Sequence, residues 1–335
     1  MIYQSTTPPI TPPNPFPESP TTQPSTTQPL VPTTLPNTRP GRKALRHSPD
    51  INLDTSYGDS IHNRDPGTIR IFFQNVKGLT YSTSGQDYEY YISCIANIDA
   101  DITGMAETNS AWQHHHIKTK SQASIRRHYQ TSKISYSSPS REVDPMPENE
   151  SFQPGSTVTF PNQKMATLIH GQAFSDPTGL GRWSGLTFRG KENKMFTTIT
   201  AYRVCTGTIK SVPIGSSFAR EYEYFKEQGI ASPRPQKIFL KELAQTITSL
   251  QSAGHSILIM MDSNGQISDD DDLKMFMSEC DLADLHSHAP SPSTYIGSDH
   301  RRIDHMLGCQ HVVESMQGSG SLSYIEGPPQ SDHRG

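Results

Sequence analysis

A chain of 335 residues has room for two average domains or for one large α/β domain with a tail, and its composition selects the second. A net charge of −4 excludes any global pull toward polyanions, so such an attraction has to be local. No stretch reaches a membrane-spanning length, the first residues lack a basic region followed by a hydrophobic one, and Cys94, Cys205, Cys280 and Cys309 are spaced for neither a zinc site nor a disulfide framework. These features predict a soluble intracellular protein of a reducing compartment, with no membrane and no disulfide partner.

Thirteen of the 27 prolines fall in the first fifty residues, interleaved with Thr, Ser and Gln. Such sequence cannot bury enough apolar surface to offset chain entropy, so residues 1–66 are predicted to be a disordered tail with polyproline II character, and residues 67–335 the folded domain. Arg39, Arg42, Lys43 and Arg46 form a basic patch in the tail, compatible with nucleic-acid contact or a nuclear signal, although short basic runs are usually only solvated.

Residues 68–73 alternate and are β-rich, ending at Gln74-Asn75 and a glycine turn. Helical spacing over 88–98 leads into a second strand, 101–106, which ends at Glu107; strand, helix and strand in that order imply a parallel pair. From 108 to 141 there is no acidic residue, while Lys118, Lys120, Arg126 and Arg127 lie on one predicted helix, an electropositive rim suited to phosphates. The alternative is a solvated helix face with acids nearby in space. Adjacent residues on a helix point in different directions, so His114, His115 and His116 cannot share one metal ion. Strand-like segments at 156–160, 164–170, 184–188 and 195–202 read as an antiparallel meander whose end delivers Tyr202 and Arg203. Helices follow at 218–228 and 235–253, the second with Phe239, Leu243, Ile247 and Leu250 on one stripe and Gly254 as its stop. Next comes an unbroken apolar run, 256–261, expected to be a strand buried on both faces and ending at Asp262 and Asn264. By itself an Asp-x-Asn after a strand is more often turn chemistry than catalysis. Asp269 to Asp272 cap a further helix, 283–285 reads as a short strand and 301–307 as another, and the sequence closes on Ser331-Asp332-His333-Arg334-Gly335.

The strand ends together carry Asn75, Glu107, Tyr202, Asp262 with Asn264, Asp304, and Asp332 with His333. In their order and context these resemble the endonuclease/exonuclease/phosphatase superfamily, the DNase I-like fold. The matching parts, over residues 68–335, are Q-N at 74–75, E-T at 107–108, A-Y-R at 201–203, D-S-N at 262–264, R-I-D-H at 302–305 and S-D-H-R at 331–334. P-G-S-T, L-G-R-W-S-G and A-Y-R-V-C are most similar to retroelement-associated endonuclease domains. Two positions depart from the pattern: Met261 replaces a glycine before the central Asp, and His305 an aromatic after Asp304.

The resemblance implies a four-layer α/β sandwich, two mixed sheets face to face with helices outside, and metal-dependent phosphoester hydrolysis. Magnesium, or manganese in its place, would be held by Glu107 with help from Asp332 and Asn75, since magnesium takes one or two carboxylates and keeps waters. Asp262 would orient or deprotonate the attacking water with Asn264 fixing its geometry, His333 held by Asp304 would stabilise phosphoryl charge, and Tyr202 would bond a phosphate oxygen or the water. Lys118, Lys120, Arg126, Arg127 and Arg203 are the expected nucleic-acid contacts. DNA is the expected substrate, a phosphoinositide or other small phosphate the second reading, and a decayed, non-catalytic nucleic-acid-binding fragment the third. Similar domains continue past S-D-H-R into a final strand that this sequence lacks, so the backbone around Asp332 and His333 is expected to fray.

Overall fold

Apolar side chains that are buried on both faces of a strand need a layer on each side, and the strands of this chain obtain four. The computed structural model describes residues 55–335 apart from 61–63, 80–85, 141–152, 206, 214, 288–292, 297–300, 325 and 329–330. Most of the expected tail, its basic patch included, lies outside the described residues. In chain order the elements are β1 (Tyr57–Gly58), β2 (Ile71–Asn75), α1 (Gln86–Asn97), β3 (Ile102–Ala106), α2 (His115–Tyr129), β4 (Ser135–Ser137), β5 (Thr157–Pro161), α3 (Gln163–Ala166), β6 (Phe174–Ser175), β7 (Trp183–Arg189) and β8 (Met195–Tyr202). They continue with α4 (Ser217–Glu227), α5 (Pro235–Ser252), β9 (His255–Asp262), α6 (Asp271–Glu279), β10 (Leu282–Asp284), β11 (Asp304–Cys309), α7 (Gln310–Ser315) and β12 (Gly320–Ser321).

One sheet has the order β2-β3-β5-β4, with β2 and β3 parallel; the other has the order β10-β11-β9-β8-β7-β6, with β8 and β9 parallel. Three hydrophobic clusters mark the three contacts between layers. The first joins Phe72 and Met105 to Tyr88, Ile92 and Ile95 of α1 and Ile117 and Ile125 of α2. In the middle, Phe73, Ile102 and Ala106 of one sheet meet Leu186, Tyr202, Leu258 and Met260 of the other. The third sets Ile257, Ile259 and Met261 against Phe239, Leu243 and Ile247 of α5 and Leu273 and Phe276 of α6. This is the four-layer α/β sandwich. Complete burial of a side chain such as Ile259 contributes roughly 1.5–3 kcal/mol, and the two-sided burial of β9 explains why its apolar run does not alternate. The sheets approach so closely that a Cβ on Gly104 would lie 2.5 Å from Thr200 Oγ1 and 2.8 Å from Met260 Cε.

The local signals for helices hold. α5 opens with Pro235 in its first turn, where no donor is lost, and its chain reverses at Gly254 with φ +83°. Asp270 caps α6 by accepting from the Leu273 N–H at 3.0 Å.

Three expectations change. Residues 164–170 are not a strand: Asn162 accepts the Met165 N–H at 2.9 Å and starts the short helix α3 instead. The supposed meander is divided between layers, because β5 pairs with β3 and β4 in one sheet while β7 and β8 pair in the other. The ordered chain also begins upstream of residue 67, since Tyr57 and Gly58 in β1 pair with Ser321 and Gly320 in β12. No helix among the described residues is long and apolar enough to cross a membrane, and all four cysteines are unpaired.

Candidate active site

Register places the polar strand ends side by side. Asn75 is paired with Ala106, the residue before Glu107, in the first sheet. In the second, Asp262 stands between Tyr202 on one side and Asp304 on the other. Asn75 then bridges the sheets, its Nδ2 donating to Asp262 Oδ2 at 2.6 Å and to Glu107 Oε2 at 2.8 Å.

Both strands end by the same device. Asn75 Oδ1 accepts the Lys77 N–H at 2.8 Å, and Asp262 Oδ1 accepts the Asn264 N–H at 2.9 Å, so each side chain closes a turn onto the backbone two residues on. Turn chemistry and site chemistry thus coexist in one residue, one atom for each. Lys77, Glu107, Asn109 and Asn264 all have φ between 45° and 52°. Left-handed backbone at non-glycine residues costs about 1 kcal/mol or more each and gathers at functional sites.

Around these acids stands His333. Single ligand atoms of Glu107, Asp262 and His333 all lie within 4.8 Å of one another. Asp304 Oδ2 receives the His333 Nδ1 proton at 2.7 Å, and His333 Nε2 is 3.9 Å from Asp332 Oδ1. Lys77, half exposed, forms an ion pair with Asp332 Oδ2. Burial disfavours a charged His333, yet the adjoining Asp304 carboxylate outweighs it and raises the imidazole to about 9. Burial also raises the Glu107 and Asp262 carboxyls; for Asp262 the neighbouring Asp304 adds to the effect.

Four carboxylates, Glu107, Asp262, Asp304 and Asp332, face two cations, Lys77 and His333. Asp304 Oδ1 and Asp332 Oδ1 are buried without a hydrogen-bond partner. A carboxylate-rich donor set with a buried, unsatisfied carboxylate oxygen fits a hard divalent cation such as magnesium or manganese. The possible ligand atoms that lie together are those of Glu107, Asp262 and His333, the last through Nε2 in its neutral form, since Nδ1 is engaged by Asp304. Asn75, expected as a third ligand, accepts the Lys77 N–H with its oxygen and donates to Asp262 and Glu107 with its nitrogen.

Other expected residues are distributed differently. Asn264 donates to the Arg203 carbonyl at 2.6 Å and lies 3.4 Å from Asp262 Oδ2, so it stands at the site. Tyr202 is buried, with Cys205 as a hydrogen-bonding neighbour, and burial first, then Glu107, pushes its phenol well above the usual range. Arg203 does not face solvent: its guanidinium is ion-paired with Asp270 and reaches the Ser263 carbonyl, tying loops together behind the site. On α2, Lys118 lies over the Tyr136 ring at 5.4 Å, beside Val158 and the Glu107 end of β3, and Lys120, two residues on, is exposed. Arg126 and Arg127 are at the opposite end, where Tyr129 packs on Phe160 next to the start of β3, and Arg127 is paired with Glu89 of α1 at 2.6 Å.

Lys77 and Gln74 went unassigned in the sequence reading. Gln74 accepts from Tyr91 Oη at 2.5 Å and donates to the His333 carbonyl at 2.9 Å, fixing the histidine's backbone from the sheet. Residues 331–335, expected to fray, are hydrogen-bonded to neighbouring segments. The Ile296 N–H donates to Asp332 O at 2.9 Å, the Arg334 N–H to Thr294 O at 2.8 Å and the Leu322 N–H to Gly335 O at 2.9 Å, and Tyr295 bridges His333.

No protein-family model and no curated protein matches the chain. Among solved structures, the AP endonuclease LMAP from Leishmania major is 11% identical with a TM-score of 0.57, covering 82% of this chain and 89% of its own. The endonuclease domain of TRAS1, a telomere-specific non-LTR retrotransposon, is 12% identical with a TM-score of 0.48, covering 79% and 94%. An endonuclease/exonuclease/phosphatase family protein from Bacteroides thetaiotaomicron is 14% identical with a TM-score of 0.46, covering 81% and 96%. The fold is DNase I-like.

Proposed function

We propose that the chain is a magnesium- or manganese-dependent phosphodiesterase that cuts DNA internally. The observation that carries this reading is the single edge on which Asn75, Glu107, Asp262, Asp304 and Asp332 converge around His333, with more carboxylates than cations and two buried oxygens unpartnered. Glu107 and Asp332 would hold a divalent cation, which when bound would neutralise charge at the phosphoryl oxygens. Asp262, oriented by Asn75 and by the Asn264 backbone, takes the proton of the attacking water at a carboxylate oxygen; its raised proton affinity suits a base working near neutrality. His333, its Nδ1 proton fixed on Asp304, presents Nε2–H to the phosphoryl oxygens and offsets the charge that develops there.

DNA is favoured as substrate by Lys118 beside the Glu107 end of the sheet and by the fold shared with an AP endonuclease. The P-G-S-T and A-Y-R-V-C wording supports a mobile-element origin, and Arg39 to Arg46 remain the proposed nuclear or nucleic-acid contact of the tail. Supercoiled plasmid with magnesium, with manganese, and with chelator tests the reading, followed by inositol phosphates. Metal-dependent nicking is expected. Phosphate release from inositol phosphates with plasmid left intact would transfer the site to small substrates, and turnover of neither would sink the catalytic reading.

A further inference from the structure

The chain just upstream of the first sheet reaches across to the loop that bears His333. β1 pairs with β12, and beside that ribbon Arg334, 3% exposed, is inserted between two rings. Its guanidinium carbon is 4.9 Å from the centroid of Tyr57 and 4.4 Å from that of Tyr324. Arg334 Nη1 donates to the Thr55 carbonyl at 2.7 Å and to the Leu322 carbonyl at 3.2 Å. The Ser323 N–H donates to Ser56 Oγ at 2.9 Å, and the Ser319 N–H to Asp59 Oδ2 at 2.8 Å. Close approach is admitted by glycine: a Cβ on Gly320 would lie 2.7 Å from the Tyr57 carbonyl oxygen and 2.9 Å from that of Asp59.

Arg334 directly follows His333, so whatever holds the arginine limits where the imidazole can go. Gln74 grips the same loop from the sheet side through the His333 carbonyl. Residues 55–59 contact Arg334 and the 318–326 stretch.

We propose that residues 55–59 are a positioning strap for the active-site histidine, acting through Arg334 clamped between Tyr57 and Tyr324. This rests on the reading of His333 as a group that meets the phosphoryl oxygens. A charged guanidinium between two aromatic faces is held by direction as well as by contact, and a side chain displaced by about 1 Å from its working position can lose roughly a hundredfold in rate. The strap therefore governs turnover rather than substrate affinity.

The test uses the full chain with Gly320→Ala, which pushes the strap away without altering it, with Tyr57→Ala, which removes one face of the clamp, and with Tyr57→Phe, which keeps that face. Amide hydrogen exchange is read at 331–335 and in β9, without substrate, alongside kcat and KM for plasmid nicking. Gly320→Ala and Tyr57→Ala are expected to raise exchange at 331–335, leave β9 protected, and lower kcat by about tenfold to a hundredfold at unchanged KM; Tyr57→Phe is expected to match the unaltered chain. Unchanged exchange at 331–335 in both damaging variants overturns the strap, as does a raised KM with kcat intact, or loss of protection in β9 as well. Absence of nicking in the unaltered chain counts against the proposed function alone, because exchange still decides the strap.

Discussion

Two groups of buried charge flank Tyr202, and they hold an excess of acid in different surroundings. On one side Arg182 is fully buried, donating through Nε to Asp176 Oδ2 at 2.6 Å and through Nη2 to Asp176 Oδ1 at 3.0 Å and Glu242 Oε2 at 2.6 Å, with Trp183 under its guanidinium at 4.7 Å. Burial works against the Asp176 charge, but the Arg182 fork outweighs it and holds that carboxyl below its usual range. The surplus acid there is Glu221, whose Oε2 has no partner and which burial raises to about 8. A proton neutralises it. On the other side, Asp262, Glu107, Asp304 and Asp332 gather around His333 and Lys77, and Glu107 and Lys77 both reach solvent. Burial raises Asp262 to about 8 much as it raises Glu221, but Asp262 stands beside Glu107, which reaches solvent, and there the proposed cation, arriving with its waters, would take the place of the proton.

The sharpest break in this comparison is catalytic. Glu107→Gln and Asp262→Asn are each expected to lower plasmid nicking by on the order of a thousandfold with circular dichroism unchanged, the scale of losing a general base or a positioned charge. Glu221→Gln should leave nicking within severalfold. Equal losses from Glu221→Gln would mean that the two groups act as one site.

Stability should divide them the other way. Asp176→Ala takes from the buried Arg182 its two-point partner and leaves it Glu242, and breaking a buried pair by removing one partner costs roughly 3–5 kcal/mol. Urea titration measures it. Glu107→Gln removes one of several crowded acids and should shift the midpoint little or slightly upward. A large stability loss from Glu107→Gln would show that its hydrogen bond to Asn75 outweighs the repulsion.

The site was legible in the sequence to the extent that its signals are local. A polar residue that ends an apolar run marks a strand end, which is why Asn75, Glu107 and Asp262 could be named from sequence, whereas Asp304 opens its strand and was named through the R-I-D-H motif. What failed is long-range. Residues 55–59 look like tail because their composition is polar, and their partners lie some 260 residues further on. Nothing local shows that β5 leaves its neighbours in sequence for the other sheet, or that Arg203 turns inward to Asp270. Lys77 reads as a turn residue until the fold brings Asp332 beside it. The start of α3 was within reach, since Asn162 after Pro161 is a helix cap as readily as a turn.

Protons separate the two groups on a smaller scale. His333 titrates at about 9 in the folded chain against 6.5 for an ordinary imidazole, with burial opposing and Asp304 driving the rise. A raised folded value means that this stabilisation is complete below pH 6.5 and is lost as pH climbs through 9. The difference in melting temperature between the unaltered chain and Asp304→Asn should therefore be widest below pH 6.5 and shrink toward pH 9. Glu221 has about 8 in place of 4.5 through burial, so its folded form keeps a proton that the unfolded form releases, and the protein loses stability from pH 4.5 to 8. Glu221→Gln removes that slope, and its advantage in melting temperature should grow over the same interval. A flat difference would place Glu221 in water.

Surface charge sets the lower end of the scale, and α2 tests it. Arg127 is paired with Glu89 across the α1–α2 contact with 64% of its side chain exposed, and an exposed pair of this kind contributes about 0.2–1 kcal/mol at most. Arg127→Gln should move the melting temperature barely beyond measurement error. More is learned from salt dependence. Every phosphate contact removed flattens the log–log slope of binding by about one unit, and the Glu89 pairing and the Tyr129–Phe160 packing set Arg126 and Arg127 against the end of β3 remote from Glu107. Replacing both by Gln should leave the slope of plasmid binding unmoved, whereas Lys118→Gln, near the Glu107 end, should flatten it by about one unit. A slope that falls with Arg126 and Arg127 and holds with Lys118 would route the DNA across the outer helices, too far from Asp262 for that acid to act on it.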